Sequence, residues 1–211
     1  MSGKDASAEQ AVAERPVAAR RLRADAQRNR ERLLEIAGEA FAASGIGASL
    51  EDIARRAGVG IGTLYRHFPT REHLVEVVYR REVEGLCAAA DDLLATRPAG
   101  DALAEWMQRF VGYIAAKRGM ADSLKLLLQS KSDLFAETSG KIPAAFRRLV
   151  EAAVSEGSIR ADIEPADILQ ALSGIYGAPD TPDWQDRSRR LMRLLMDGLR
   201  AGAPGKPSGP P

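Results

Sequence analysis

Between Ser49 and Arg71 the chain gathers side chains that donate hydrogen bonds to anionic oxygens or to the edges of flat heterocycles. Arg55, Thr63, Tyr65, Arg66, His67 and Arg71 all fall in this stretch, with Gly60 and Gly62 between them. Thr63 can meet a base edge or a thymine methyl. Tyr65, Arg66 and His67 have polar tips and stand near a helix end, where contact with phosphate is natural. Gly62 permits close approach of the backbone to a ligand surface. The chemistry implied is recognition of a duplex nucleic acid, not bond-making.

Other chemistries fail on context. Gly58-Val-Gly60-Ile-Gly62-Thr63 superficially resembles a phosphate loop, but it follows a helical pattern and no Gly-Lys-Ser/Thr element occurs in the chain. The two histidines, His67 and His73, form no metal-binding spacing with the single Cys87. Asp91-Asp92 and Glu51-Asp52 read as solvated helix faces. Neither a cofactor nor a metal is expected, and nothing argues for an enzyme. One cysteine excludes an internal disulfide and fits a reducing compartment. Without a membrane-length apolar run or a signal-peptide core, the expected location is cytoplasmic and no membrane partner is expected.

The elements that must position these residues are short and well punctuated. Ser49 can cap a helix by accepting from the Asp52 N–H, with Asp52 reaching back. Ile53, Ala54 and Ala57 give that helix one apolar face, and Gly58 stands where a helix end favours a left-handed residue. A second short helix starts at Ile61, places Leu64 and Phe68 one turn apart, and stops at Pro69. Two short helices joined by a glycine turn form a helix-turn-helix, whose second helix enters the major groove.

Ala57-Gly-Val-Gly-Ile-Gly-Thr-Leu-Tyr-Arg-His-Phe68-Pro-Thr-Arg71-Glu-His-Leu74 resembles the signature of the TetR family of bacterial transcriptional repressors. The resemblance covers about a quarter of the chain and is specific to it. It implies that Tyr65 and His67 hold phosphates and that Arg71, where the family often has lysine, lies near the DNA backbone. Gly60 and Ile61 stand where serine and lysine are frequent; Ile61 cannot hydrogen-bond, so one usual contact is absent or replaced by an apolar one. Ser49 and Arg55 complete the candidate DNA-contacting set. The resemblance further implies a double-stranded operator, a small-molecule effector and a homodimer.

Around this segment, residues 1–19 read as a disordered arm, 20–69 as the helix-turn-helix domain, 70–200 as a ligand-binding and dimerisation domain, and 201–211 as a disordered tail. The expected fold is all-α: an N-terminal three-helix DNA-binding domain plus a larger helical bundle, about nine helices in all. Asp25 begins the first, Thr70 caps a long fourth that runs to Ala95, and Asp101 caps the next. Residues 131–140 read as a loop or short turn. Trp106, Met107, Phe110, Tyr113, Met120 and Phe135 concentrate large side chains in the middle helices, as a small-molecule pocket requires, although stripes at helical spacing equally make plain core. Ile168, Leu172 and Ile175, with Leu191, Leu195 and Leu199, are the expected dimer interface.

Charge is uneven. Arg20, Arg21, Arg23, Arg28, Arg30 and Arg32 crowd the start of the helical region, yet the net charge of the 211 residues is only +1. Such asymmetry is a nucleic-acid signal, while pairing with Glu31, Glu35 and Glu39 on a solvated helix face is the plainer alternative. A helical module that binds protein instead of DNA is the rival reading. It leaves Thr63-Leu-Tyr65 and the flanking arginines without a purpose.

Overall fold

The computed structural model describes residues 5–44, 47–130, 133–176 and 181–204, with side chains from residue 23 to 174 and 181 to 204 within those spans. These residues form α1 (Asp5–Ser44), α2 (Leu50–Arg56), α3 (Ile61–His67), α4 (Arg71–Thr96) and α5 (Ala99–Gly119). After them come α6 (Ala121–Gln129), α7 (Leu134–Thr138), α8 (Lys141–Ser155), α9 (Pro165–Tyr176) and α10 (Trp184–Arg200). The fold is all-α, and no strand occurs among the described residues. None of their helices is long and apolar enough to cross a membrane.

Local chemistry sets most boundaries. The Ser49 hydroxyl accepts from the Asp52 N–H at 3.2 Å and the Thr70 hydroxyl from the His73 N–H at 3.1 Å, each satisfying one orphan donor of a first turn. Gly58 (φ +74°) and Gly157 (φ +77°) take the left-handed conformation that ends α2 and α8.

Several expectations are corrected. Helix α1 begins at Asp5, not Asp25, so 5–19 is not an arm without regular structure. The segment is rich in alanine, which loses little entropy in a helix and needs no apolar stripe to adopt one. The tail from residue 205 on lies outside the described residues. Asp101 does not cap α5: Pro98 holds the cap position without a side-chain bond, and Asp101 instead accepts from Arg200 at 3.0 Å. Asp52 does not reach back to Ser49 but pairs with Arg55. The stretch expected to be a loop or short turn contains the five-residue helix α7, which buries Leu134.

One apolar cluster spans head and bundle. Leu33, Leu34, Ala37 and Phe41 of α1 pack with Ile53, Leu64 and Phe68, and the cluster continues through Leu74, Val78 and Val83 of α4 into α5 and α8. In the bundle, fully buried Trp106 donates its Nε1–H to the Leu86 carbonyl at 2.8 Å. It stacks on Phe110 at 5.6 Å between centroids and lies 5.4 Å from Phe146.

The tightest joint lies between α1 and α5. A Cβ at Gly119 would stand 2.0 Å from the Phe41 carbonyl oxygen, so only hydrogen fits there. Beside it, the Arg118 guanidinium lies 4.4 Å over the Trp184 ring, and Gln185 Nε2 donates to the Ala42 carbonyl at 3.4 Å. Three helix ends thus meet at one point. At the other seam of α1, Gly38 faces Glu82, whose Oε1 comes 2.9 Å from where a Cβ would stand. Burial pushes the Glu82 carboxyl up from its ordinary range, opposed by Arg81.

Two outcomes follow for stability. Gly119→Ala will destabilise by about 1–3 kcal/mol through overpacking, whereas Gly112→Ala, with no atom within 4 Å of the added methyl, will stabilise by about 0.5–1 kcal/mol. Urea midpoints of both variants check this. Because the folded-state pKa of Glu82 is raised, its ionisation opposes folding above that pKa, and the penalty fades as pH falls towards the unfolded value. Glu82→Gln will therefore be the more stable protein at neutral pH, and its advantage will shrink in mild acid. A pH series of denaturation curves reads the sign.

Candidate nucleic-acid interface

Leu64 and Phe68 are fully buried and fasten α3 to the head, which fixes what the opposite side presents. Ile61 is 37% and Tyr65 45% exposed, one turn apart on that outward side. Gly60, Gly62 and Arg66 are exposed with them, and Thr63 and His67 are half-buried at the margins. A Cβ at either Gly60 or Gly62 would meet nothing within 4 Å, so the start of α3 is open to a ligand surface. The sequence-predicted residues Gly60 to His67 therefore come together on one short helix.

Arg66 lies back along this helix. Its Nε donates to the Gly62 carbonyl at 3.3 Å and its Nη2 to the Thr63 hydroxyl at 3.3 Å. The Thr63 hydroxyl is the acceptor in this bond, so its own proton remains available to another acceptor. His67 packs its ring near Phe68, at 6.2 Å between centroids.

Other predicted contacts have work inside the protein. Arg71 donates to the Ala48 carbonyl at 2.8 Å and lies 5.4 Å over the Phe41 ring, pinning the approach to α2 onto α1 and α4. Ser49 caps α2, and its hydroxyl donates to Glu51 at 2.9 Å. The Glu51 carboxyl is held below its ordinary range by its backbone hydrogen bond and then by Ser49. Arg55 is exposed but paired with Asp52. Arg30 was missed as a site neighbour: its guanidinium lies 5.5 Å over Phe68, at the edge of the head next to His67. Its place in the arginine-rich run was the available signal.

Known proteins share these features. The family model for bacterial regulatory proteins of the tetR family matches residues 33–78, and that for the SbtR-like transcriptional regulator C-terminal domain matches 98–201. The crystal structure of a TetR transcriptional regulator from Streptomyces coelicolor is 44% identical, with a TM-score of 0.72 over 81% of this chain and 98% of its own. The chain belongs to the TetR family.

A TetR regulatory protein from Mycobacterium vanbaalenii is 40% identical, with a TM-score of 0.65 over 85% of this chain and 99% of its own. An HTH-type transcriptional regulator of Staphylococcus aureus is 41% identical over 64 residues, so the chain spans about a third of the length of the curated relatives it matches. As a TetR-family member this is a transcription regulator of the DNA-binding kind, and α2–α3 is its helix-turn-helix.

The other two predicted sets are placed differently. Trp106, Met107, Phe110, Tyr113 and Met120 are buried in the bundle core, and Phe135 is half-buried on the Tyr79 ring at 5.9 Å. Tyr113 also borders an open cleft of about 290 Å³ with Arg81, Glu82, Gly85, Leu86, Ala89 and Arg109. Ile168, Leu172 and Leu199 are buried in the core of this chain, Leu199 at the floor of the apolar groove lined by Leu191 and Leu195. The side chain of Ile175 lies outside the described residues. Leu191 and Leu195 are half-buried, and the neighbouring Leu194, 68% exposed, was not in the predicted set. The wide apolar arc of α10 contains two stripes: Ser188, Met192, Met196 and Leu199 face inward, while Leu191, Leu194 and Leu195 line an open apolar groove with Ile163 and Ala171.

The geometry separates structural residues from contact residues. Arg71→Ala will lower the stability of the free protein by about 1.5 kcal/mol through loss of a charged hydrogen bond, while Tyr65→Ala will leave it within about 0.5 kcal/mol. Thermal denaturation without DNA tests this; equal losses in the two variants would contradict it.

Proposed function

We propose that this regulator is a one-component repressor: a homodimer that grips a palindromic operator through two copies of α3 and is released by a small effector. The observation that carries the reading is the outward stripe of α3, Ile61 and Tyr65, displayed on a helix that Leu64 and Phe68 hold rigidly. An exposed tyrosine and isoleucine on a seven-residue helix give little to folding, and suit a surface that closes on DNA. Tyr65, Arg66 and His67 take phosphates; Thr63 and the backbone at Gly60 and Gly62 face the bases. Ile61 supplies apolar contact where a polar one is commoner in the family. Ser49 and Arg55 border the backbone, and Arg71 acts through the loop it pins.

Dimerisation falls to the outward side of α9 and α10. Leu191, Leu194 and Leu195 with Ile163 and Ala171 make an exposed apolar groove of about 470 Å³, and two such faces close into a four-helix bundle with two-fold symmetry. That symmetry sets two α3 helices against half-sites about 34–36 Å apart. The effector acts in the bundle, beside α4. The packed aromatic cluster of Trp106, Phe110 and Tyr113 must part to admit it, and the hydroxyls of Tyr79 and Tyr113, 3.3 Å apart, give a polar point within that apolar setting. Parting these rings tilts α4 and changes the spacing of the heads. A coupling of about 1–3 kcal/mol suffices for a 5–150-fold change in operator affinity, and operator must weaken effector binding by the same factor.

Two experiments decide the reading. In anisotropy titrations against the DNA upstream of its own gene and a random duplex, Tyr65→Ala will weaken both alike, while Thr63→Ala will change the preference between operator variants. Equal losses from both substitutions at every sequence would remove Thr63 from base readout. Separately, Leu191→Glu with Leu194→Glu will sediment as a folded monomer with lost operator affinity. A variant that stays dimeric would place the interface elsewhere.

A further inference from the structure

The arginine-rich start of α1 precedes the helix-turn-helix and touches it at Arg30, over Phe68. Residues 15–32 hold seven arginines and two acidic residues, Asp25 and Glu31, whereas the whole chain has a net charge of +1; the rest of the chain is therefore net negative. Both acids are engaged locally, Asp25 with Arg28 and Glu31 with Arg81 at 2.8 Å. These are exposed pairs of small worth, easily exchanged for a stronger anion.

The placement of this charge follows from helix register. Positions 23, 30, 34, 37 and 41 lie on one side of α1, at intervals of seven, four, three and four residues. Leu34, Ala37 and Phe41 bury that side against the head. Arg30 reaches the edge of the head, over Phe68, one residue beyond His67 of α3. Arg23 continues the same side past the edge and is exposed. At 1.5 Å per residue, Arg23 stands about 10 Å and Arg15 about 22 Å beyond Arg30 along the axis. The arginine-rich stretch of α1 thus runs out past the head from the C-terminal end of α3, with positions 23 and 30 on the side that carries α3. The family match begins only at residue 33. The Streptomyces structure is matched over 98% of its length but over 81% of this chain, so this chain has sequence to spare outside the shared fold.

We infer that the N-terminal run of α1, residues 15–30, is a second DNA-contacting element that lies along the phosphate backbone flanking the operator, outside the groove entered by α3. The inference rests on the DNA-binding reading above. Phosphate is the partner that the charge fits: arginine guanidinium groups bind its oxygens in a bidentate fork, and no base reading is required. The run adds affinity and salt dependence but not sequence preference. It also lengthens the stretch of duplex that the protein covers.

The test uses the full chain with Arg20→Gln, Arg21→Gln and Arg23→Gln combined, glutamine being a good helix former. Affinity is measured by anisotropy between 50 and 200 mM salt, on operator duplexes with long and with trimmed flanks. Each phosphate contact contributes a slope of about 0.9 in log affinity against log salt, so its loss removes roughly a 3.5-fold change across this fourfold range. The expected result is a slope shallower by about two to three per protomer in the triple variant, about five for the dimer, with equal losses on operator and random DNA. Trimming the flanks should weaken the wild type towards the variant and leave the variant unchanged. Hydroxyl-radical footprints should lose protection at the flanks only. A triple variant with the wild-type slope and wild-type flank protection would overturn the inference while leaving the α3 reading intact. A wild type that binds neither duplex would instead defeat the DNA-binding reading itself.

Discussion

The contact on which the arrangement depends is the one at Gly119, where α5 passes so close to α1 that the Phe41 carbonyl occupies the space of a side chain. Helices normally keep 8–10 Å between axes because side chains intervene. Removing the side chain at the crossing lets two backbones touch. The close pass seats Phe41 in the core and brings Arg118 against Trp184, so the ends of α1, α5 and α10 are held together. Consequently the head is packed against the bundle and does not hang from a linker. Phe41 serves both sides of the joint, since its ring also carries the Arg71 guanidinium that fixes the entry to α2.

This shared packing explains how so small a helix-turn-helix holds its shape. Helices of seven residues are too short to be stable alone. Leu64 and Phe68 have to be buried by something else, and α1 and α4 supply the walls. The outward face of α3 is then free to carry residues chosen for recognition and not for folding. The Arg66–Thr63 hydrogen bond fits that division, because it occupies both polar groups without burying either.

The sequence was most legible where local rules are strict. Ser49 and Thr70 as caps, Gly58 as a left-handed end and Pro69 as a stop were all visible, because one residue type decides each of them. What lay hidden was which of several apolar residues on a broad arc face inward. On α10, Met192, Met196 and Leu199 go into the core and Leu194 stays outside, a choice made by the neighbouring helices and not by spacing along the chain. Arg71 was legible only by type, which suits a phosphate; the fold adds that it also bonds the Ala48 carbonyl and lies over the Phe41 ring. The length of α1 was hidden because a helix rich in alanine and arginine need not show an apolar stripe.

Helix α4 spans Arg71 to Thr96 without a proline, and is rooted in the head at Leu74 and in the bundle at Leu93. Its 26 residues make a rod of about 39 Å. A continuous rod anchored at both ends has the geometry of a lever. For a rod of this length turned about its midpoint, a rotation of about 5° would carry each tip through nearly 2 Å, more than the tolerance of a hydrogen bond. A repacking in the bundle that tilted this rod would reach the head as a displacement of its other end, without a hinge in between.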